Sequence, residues 1–373
     1  MNRQSFLRLS LLALALAPSA VIADDRFANQ GAVYTADNAA SGNNILAFRR
    51  AGDGSLSQDG SFATGGSGSG GGLGNQGGVV LSRDGRWLLA CNAGSHEISV
   101  FAVNGHGLTL TDKVSSEGKR PVSLALHRNL LYVLNAGGGA GESDNVTGFI
   151  FFGGQLLHCP NSTRALSAGN TGPAQVSFTS DGEALVVTEK ATSVIDTFTV
   201  GDDGLIDDHK KFVSPTPTPF GFAVGRESRI FVSEANGGAA GASSVASYEV
   251  SEEGDLSAIS GSIPTTQSAA CWVVLTRNQR YAYTSNTGSG TISGYRVNGE
   301  GKLQLLRPDG VTGATGSGSK PIDLALSRDS RFLYSLNSGN GTLSGFRISA
   351  NGSLQALPTV SGIPAGANGL AAR

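Results

Sequence analysis

A four-strand pattern of about 50 residues recurs along the chain, and this repeat limits the fold more than any other feature of the sequence. In each unit two apolar strands flank a short turn, as in RDGRWLLACNAGS at residues 83–95 and RDSRFLYSLNSGN at residues 328–340. The second strand of every unit ends in an acid or an amide, at spacings of 55, 43, 54, 45, 52 and 51 residues. These seven residues are Asp37, Asn92, Asn135, Glu189, Glu234, Asn286 and Asn337.

Each unit continues with a third strand, such as EISVF or TISGY, and a glycine-containing hairpin, such as GDGSL or GEGKL, that leads to a fourth. Hairpins of this type need the positive φ that glycine adopts easily. Seven four-stranded units of this period predict an all-β, seven-bladed β-propeller with antiparallel blades. A row of separate sandwiches is the competing architecture. However, no linker divides the units, and consecutive apolar residues such as VVL and LAL indicate strands buried on both faces.

The first unit lacks an innermost strand, and the end of the chain supplies one. The segment ANGLAAR, residues 367–373, matches the position of KPIDLAL and RPVSLAL in other units. We therefore predict that the C-terminal strand pairs with the strand begun near Val33 and closes the ring, which removes an exposed sheet edge. Residues 24–373 are predicted to form this single propeller domain.

The first 23 residues resemble a secretory signal peptide. Arg3 and Arg8 precede and flank an apolar run, and the small-residue exit VIA ends at Ala23. Such an order predicts cleavage after Ala23 and a periplasmic or secreted mature protein. No later stretch approaches 18 consecutive apolar residues, so membrane insertion is not predicted.

Composition argues against several partners. Without Arg3 and Arg8 the chain carries 25 basic and 29 acidic residues, a net charge near −4, which disfavours nucleic acid and anionic membranes as partners. The three cysteines allow at most one disulfide; Cys91 and Cys271 lie in or beside apolar strands, and Cys159 lies in a loop. No residues have metal-ligand spacing, so neither a metal nor another cofactor is predicted.

Long glycine-rich segments gather at one end of the predicted ring, where strand one of each blade begins and strand two ends. We call this the top end; its long segments are residues 64–78, 135–145, 234–244 and 312–320. Loops on one face of a rigid scaffold commonly carry binding sites. The segment 64–78 contains chance G-x-G-x-x-G matches but opens no helix, and we expect it to be flexible filler.

The polar residues that end the second strands are expected near the top mouth. For most of the amides we favour a structural role, capping the backbone of the loops. Glu189 and Glu234 are longer and ionised, and are the better functional candidates. Solvated rim charges are predicted at Lys119, Arg120 and Lys320, and His96 is the histidine expected near this end.

The unit pattern, exemplified by DGRWLLACNAGSHEISVF, resembles the seven-bladed β-propeller lactonase family, which includes 6-phosphogluconolactonase and the carboxymuconate-lactonizing enzyme. The resemblance covers almost the whole mature chain and implies catalysis by a top-face set of histidine, arginine and glutamate. In GPAQVSFTSDGEALVVTEK the family's Gly-Pro is matched at Gly172 and Pro173, and its acid at Glu189. Ala174 and Gln175 stand at its arginine and histidine positions.

Two further family positions also differ. The blade-three histidine would fall near Val122 and the later arginine near Ile322. Of the family set only the glutamate carries over, with Arg120 and Lys320 as neighbouring cations. Glu189 is therefore the predicted base, and the predicted binding residues are His96, Arg120, Gln175, Glu234, Lys320 and Asp323.

Two hypotheses follow from these residues. In the first, an exported lactonase-like hydrolase or cyclase opens or forms a lactone derived from a sugar or an aromatic acid. In the second, a non-catalytic secreted propeller binds a ligand or a protein, because the family arginine and histidine are replaced. Either protein is expected to be a monomer, with a small lactone or carbohydrate-derived ligand as the preferred partner. A direct discriminating observation is whether Glu189 lies within hydrogen-bond reach of a cation.

Overall fold

A computed structural model describes residues 31–105, 107–137, 143–207 and 209–373, and it shows seven antiparallel sheets arranged as the blades of one propeller. The predicted signal peptide, residues 1–23, lies outside the described residues. We number the blades 1 to 7 from the N-terminus, and the strands of each blade one to four from the ring axis outwards. The fold class predicted from the repeat is confirmed.

The strands follow the predicted order in every blade. The innermost strands are, from blade 1 to blade 7, Asn368–Ala372, Val79–Leu81, Pro121–His127, Pro173–Phe178, Pro219–Val224, Ala270–Leu275 and Pro321–Leu326. The second strands are Gly31–Ala36, Trp87–Asn92, Leu130–Asn135, Ala184–Glu189, Arg229–Glu234, Tyr281–Asn286 and Phe332–Asn337.

The outer strands are more exposed and more variable in length. The third strands are Asn44–Arg50, Glu97–Asn104, Asn145–Phe152, Val194–Thr199, Ser244–Val250, Thr291–Val297 and Thr342–Ile348. The fourth strands are Leu56–Ala63, Gly107–Ser115, Gln155–His158, Lys210–Val213, Leu256–Pro264, Leu303–Leu305 and Leu354–Ala356. In blades 3, 6 and 7 a two-residue strand also pairs with the third strand, at Arg164–Ala165, Gly313–Ala314 and Val360–Ser361. A 3₁₀ turn, Asn236–Gly238, lies in the top loop of blade 5.

The C-terminal strand closes the ring as predicted. Asn368–Ala372 pairs antiparallel with Gly31–Ala36, with Val33 opposite Ala372 and Tyr34 opposite Ala371. Arg373 extends the pairing, because its amide donates to the carbonyl of Ala32 at 2.9 Å. The two ends of the chain are thereby joined in blade 1.

The core lies between the blades, in apolar clusters that are each centred on one neighbouring pair of blades, and two of them also take in residues near the axis from other blades. Alternation along a strand produces this arrangement, since successive side chains point to opposite faces. In blade 3, Leu131 and Val133 pack against blade 2, whereas Tyr132 and Leu134 pack against blade 4. Strands one and two are therefore apolar at consecutive positions because both of their faces are buried.

Candidate functional site

The glycine-rich segment that enters blade 2 closes the ring axis at the top end. The side-chain amide of Gln76 donates to the carbonyl of Val273 at 2.9 Å and accepts the amide hydrogen of the same residue at 3.1 Å. The backbone amide of Gln76 donates to the carbonyl of Ala174 at 3.0 Å. One residue thus links the entrance of blade 2 to the innermost strands of blades 4 and 6. The expectation that residues 64–78 are flexible filler is wrong for the axial part of this segment.

Neighbouring residues of the same segment complete the closure. Trp272 donates its indole N–H to the carbonyl of Asn75 at 2.7 Å, and the Asn75 side chain donates to the carbonyl of Val122. Glycine is required at position 221, because a Cβ there would lie 2.7 Å from the backbone carbonyl oxygen of Cys271 and 2.1 Å from the Oε1 atom of Gln76. Blades 3, 4, 5 and 6 therefore all contact the axial plug, which we define as residues 73–78.

Lys190 is a cation in direct contact with this plug, and no motif of the sequence marks it. Its ammonium group donates to the carbonyl of Gly74 and, at 3.3 Å, to the carbonyl of Pro173. It also lies 4.8 Å from the centre of the Phe220 ring. Burial lowers the pKa of Lys190 to about 8, so the ammonium form still predominates at neutral pH.

Glu189, the predicted base, is completely buried at the end of strand two of blade 4. One carboxylate oxygen accepts the backbone amide of Ser167 at 2.9 Å, and the other accepts the hydroxyls of Ser167 and Thr192. Among the residues that the structure describes, no cation forms an ion pair with Glu189. The arrangement of glutamate and cation expected for a lactonase site is thus absent in this conformation, and the catalytic role of Glu189 stays a prediction.

A second buried carboxyl group, Asp196, lies beside Glu189 on strand three of the same blade. Its position is diagonal to Glu189, since Glu189 pairs with Val194 and Val187 pairs with Asp196. Burial and the adjacent Glu189 carboxylate raise the pKa of Asp196 well above its usual range. Asp196 is therefore neutral in the folded protein at neutral pH, and two negative charges do not share this interior.

Glu234 occupies the equivalent position in blade 5 and is also completely buried. Its two oxygens accept the hydroxyls of Ser214 at 3.1 Å and Ser244 at 2.6 Å. Asn92 and Asn337 likewise donate to hydroxyls on strand three of their own blades, those of Ser99 and Ser344. In these blades the last residue of strand two, whether an acid or an amide, thus anchors neighbouring strands and loops. Its side chain does not point freely into the mouth.

Gln175 and Asp323 lie on innermost strands, nearer the axis. The Gln175 side chain forms a paired contact with blade 5, accepting the amide of Phe222 at 2.6 Å and donating to its carbonyl at 3.0 Å. Asp323 is buried, with one oxygen accepting the amide of Leu324 at 2.8 Å and the other without a partner among the described residues. Burial raises the pKa of Asp323 well above its usual value.

An axial cavity of about 370 Å³ lies below the plug. Innermost strands of blades 1, 2, 3, 4 and 7 line it, and the lining includes Gln76, Gln175 and Asp323. The predicted binding residues Gln175 and Asp323 therefore share one cavity, whose lining does not include Lys190.

His96 and Arg120 come together on the top rim, between blades 2 and 3. The backbone amide of Arg120 donates to Nδ1 of His96 at 3.1 Å, and both residues have positive φ. A surface cleft of about 510 Å³, whose lining includes His96 and Lys119, lies at this junction. Lys320 is exposed at the entrance of blade 7. The structure shows no contact of these rim residues with Glu189.

The described residues contain no group of three or more histidine, cysteine, aspartate or glutamate side chains that could hold a metal ion. None of their helices is long and apolar enough to cross a bilayer. Cys91, Cys159 and Cys271 are all free thiols, and burial raises the pKa of Cys271 to about 12.

Solved structures with the same fold include several proteins with lactonase names. A candidate 6-phosphogluconolactonase from Bacteroides fragilis is 18% identical, with a TM-score of 0.67, and the match covers 96% of this chain and all of that one. The periplasmic gluconolactonase of Pseudomonas aeruginosa is 15% identical, with a TM-score of 0.67 and coverage of 91% and 98%. At these identities the likeness shows the fold alone. No curated protein matches the chain in sequence.

The family comparison is more specific, because it rests on the sequence pattern itself. The family described as "Lactonase, 7-bladed beta-propeller" matches residues 27–151 and 214–322, which together are more than half of the chain. The unmatched segment between them contains Ala174, Gln175 and Glu189, where the sequence departs from the family's arginine and histidine. On this match, and with the fold in agreement, the chain belongs to the seven-bladed β-propeller lactonase family.

Proposed function

We propose that this protein acts on a lactone, opening the ring by hydrolysis or forming it in the reverse direction, at the top end of the propeller. Membership of the lactonase family is the observation that carries the proposal. A purely non-catalytic binding role has no comparable support.

Lactone hydrolysis needs a base that activates water and a donor that holds the developing oxyanion. Lys190 supplies a donor at the top of the axis, because an ammonium group has three N–H donors and the structure engages two of them. The third can donate to the carbonyl oxygen of a lactone. We thus assign Lys190 the part that the missing arginine would play.

Glu189 remains the proposed base, and its burial sets a condition on that role. Its carboxylate must leave the Ser167 and Thr192 contacts and turn towards the axis, where Lys190 lies, before it can accept a proton from a water molecule on the lactone. Both partners lie in loops at the top end, where movement does not disturb a blade. The neutral Asp196 beside it keeps a second negative charge out of this interior, so Glu189 is the one carboxylate of the pair that can accept a proton.

The names of the structural neighbours suggest the substrate class. They are a periplasmic gluconolactonase and a candidate 6-phosphogluconolactonase, so an aldonolactone is the first substrate to test. The periplasmic neighbour also agrees with the export predicted from residues 1–23. We propose a periplasmic aldonolactonase, with aromatic-acid lactones as the second substrate class.

The test measures whether the mature chain, residues 24–373, hydrolyses glucono-δ-lactone, its 6-phosphate and a muconolactone. Hydrolysis is monitored as the release of acid in a weak buffer. Lys190→Gln and Glu189→Gln should each lower kcat by at least about 100-fold, as removal of an oxyanion donor or a base does. Lys119→Gln is the matched control on the exposed rim and should retain full activity.

Two outcomes would count against the proposal. The first is a wild-type protein that has a normal melting curve but hydrolyses none of the three substrates, which would contradict the proposed lactonase activity. Full activity of both Glu189→Gln and Lys190→Gln would place the chemistry elsewhere on the molecule.

A further inference from the structure

The bottom end of the propeller carries arginine at one repeated position. In four blades the second residue of the turn between strands one and two is an exposed arginine, and in blade 3 an exposed arginine begins the shorter turn: Arg83, Arg226, Arg277 and Arg328, with Arg128 in blade 3. Blade 4 has Ser180 at this position. A turn of this kind requires a polar residue but not a cation, so the geometry of the turn does not account for the repeated charge.

The acids of these turns are already paired with other arginines. Asp84 binds Arg86 at 2.5 Å, and Asp329 binds Arg331 at 2.7 Å, each within the same turn. Glu227 likewise binds Arg229 at 2.5 Å. Among the residues described, no carboxylate forms an ion pair with Arg83, Arg226 or Arg277. These arginines are thus cations without a counter-charge, whereas their neighbours are neutralised.

Three of the unpaired arginines surround one pocket. It has a volume of about 470 Å³, and its lining includes Arg83, Arg226, Arg277 and His127. We call this pocket the basic mouth. Leu126 and Ser177 line both the basic mouth and the axial cavity. The mouth is therefore the bottom opening of the ring axis.

The groups around His127 show how positive this opening is. Burial lowers the pKa of His127, and the charges of Arg128 and Arg83 lower it further. The acid near it, Asp181, accepts hydrogen bonds from Thr179 and from the amide of Glu183, and the hydroxyl of Ser228 donates to its other oxygen. Asp181 is thus engaged by neutral donors and by no arginine.

We propose that the basic mouth is a binding site for a small anion with two or more negative charges, a phosphate or a polycarboxylate. Guanidinium groups bind both chemistries through paired N–H···O contacts, and three of them converge on a pocket of small-molecule size. The site is at the opposite end of the axis from Lys190 and Glu189. It consequently does not depend on the proposed lactone chemistry.

Calorimetric titration of the mature protein with inorganic phosphate and with citrate, at low salt, tests the proposal. Glucose is the neutral comparison. The variant Arg83→Gln/Arg226→Gln/Arg277→Gln should bind the preferred anion at least about tenfold more weakly, the effect of losing about 1.4 kcal/mol of binding free energy. Arg86→Gln/Arg280→Gln/Arg331→Gln is the control, since it removes the same charge from the outer positions of two of these turns, in blades 2 and 6, and of the equivalent turn in blade 7.

Binding of phosphate or citrate that is lost in the inner variant and kept within twofold in the control supports the site, and the tighter anion identifies its chemistry. Three results would overturn it: no binding of either anion by the wild-type protein, equal weakening in both variants, or equal binding of glucose. Melting curves of both variants, recorded beforehand, separate loss of the site from loss of the fold.

Discussion

Deletion of residues 367–373 should open the ring, and the structure gives the size of the effect. The segment buries Leu370 and the alanines at 367 and 371, and Leu370 alone is worth about 2 kcal/mol. Its ladder with Gly31–Ala36, extended by the amide of Arg373, adds several hydrogen bonds at about 1 kcal/mol each. The total loss is about 5 kcal/mol or more, a large part of the stability of an ordinary domain.

Thermal unfolding measured by circular dichroism or calorimetry checks this value. At about 2 °C per kcal/mol for a domain of this size, the Tm should fall by about 10 °C. The freed edge of Gly31–Ala36 should also promote aggregation, which size-exclusion chromatography detects.

A point variant protects the test against complete misfolding of the truncated chain. Leu370→Ala removes only the buried side chain and should destabilise the protein by about 2–5 kcal/mol, whereas Leu157→Ala, at a side chain that is 72% exposed, should have almost no effect. An unchanged Tm in both the truncation and Leu370→Ala would refute the argument that the C-terminal strand holds the ring closed.

Three other perturbations have definite expected outcomes. The raised pKa of Asp196 means that its contribution to the free energy of unfolding is fully present below about pH 4. This contribution falls as the pH rises towards the pKa of Asp196 in the folded state, by at most about 1.4 kcal/mol per pH unit. Asp196→Asn should make that decline less steep and leave the part that the buried Asp323 causes, as measured by urea unfolding at several pH values. Gln76→Ala removes the paired contact with Val273 and should speed amide exchange across residues 73–78, with Gln279→Ala as a control away from the plug. Mass spectrometry of protein exported by a bacterial host should find Asp24 as the first residue, whereas an intact Met1 would exclude the predicted cleavage.

The architecture could be predicted because every blade repeats the same physical problem. Each blade must bury both faces of its inner strands. Consecutive apolar residues therefore recur at equivalent positions in the seven units. The incomplete first unit and the unmatched segment 367–373 were informative for the same reason. A unit that lacks a strand must obtain that strand from elsewhere in the chain, and Asn368–Ala372 takes this place.

The direction of the strand-two side chains could not be predicted in the same way. Glu189 ends its strand at the top of the ring, and position alone suggested a residue facing the mouth. The loop partners of its carboxylate, Ser167 and Thr192, are separated from it by 22 and 3 residues, and no local pattern marks them. The next residue, Lys190, instead reaches the axis, since alternation turns consecutive side chains in opposite directions.

The axial plug was missed because glycine-rich composition has two opposite meanings. Glycine permits flexibility, but it also permits a backbone to approach other backbones where no Cβ would fit. Around residues 73–78 the second meaning applies, and the informative residues are the two polar ones, Asn75 and Gln76, within an otherwise featureless run. A polar amide flanked by glycines at the entrance to an innermost strand is thus a sequence signal for a segment that binds across the axis.

The repeated arginines were overlooked for a related reason. In a repeat protein a residue that recurs in every unit is easily taken as part of the scaffold. The turns between strands one and two repeat an acid and an outer arginine that neutralise each other, as Asp84 and Arg86 do. The inner arginine has no such partner in the turn, and its recurrence places Arg83, Arg226 and Arg277 around a single opening because the ring brings equivalent positions to one axis. A charged residue that repeats without a repeated counter-charge therefore indicates a role at the ring axis and not within the individual blade.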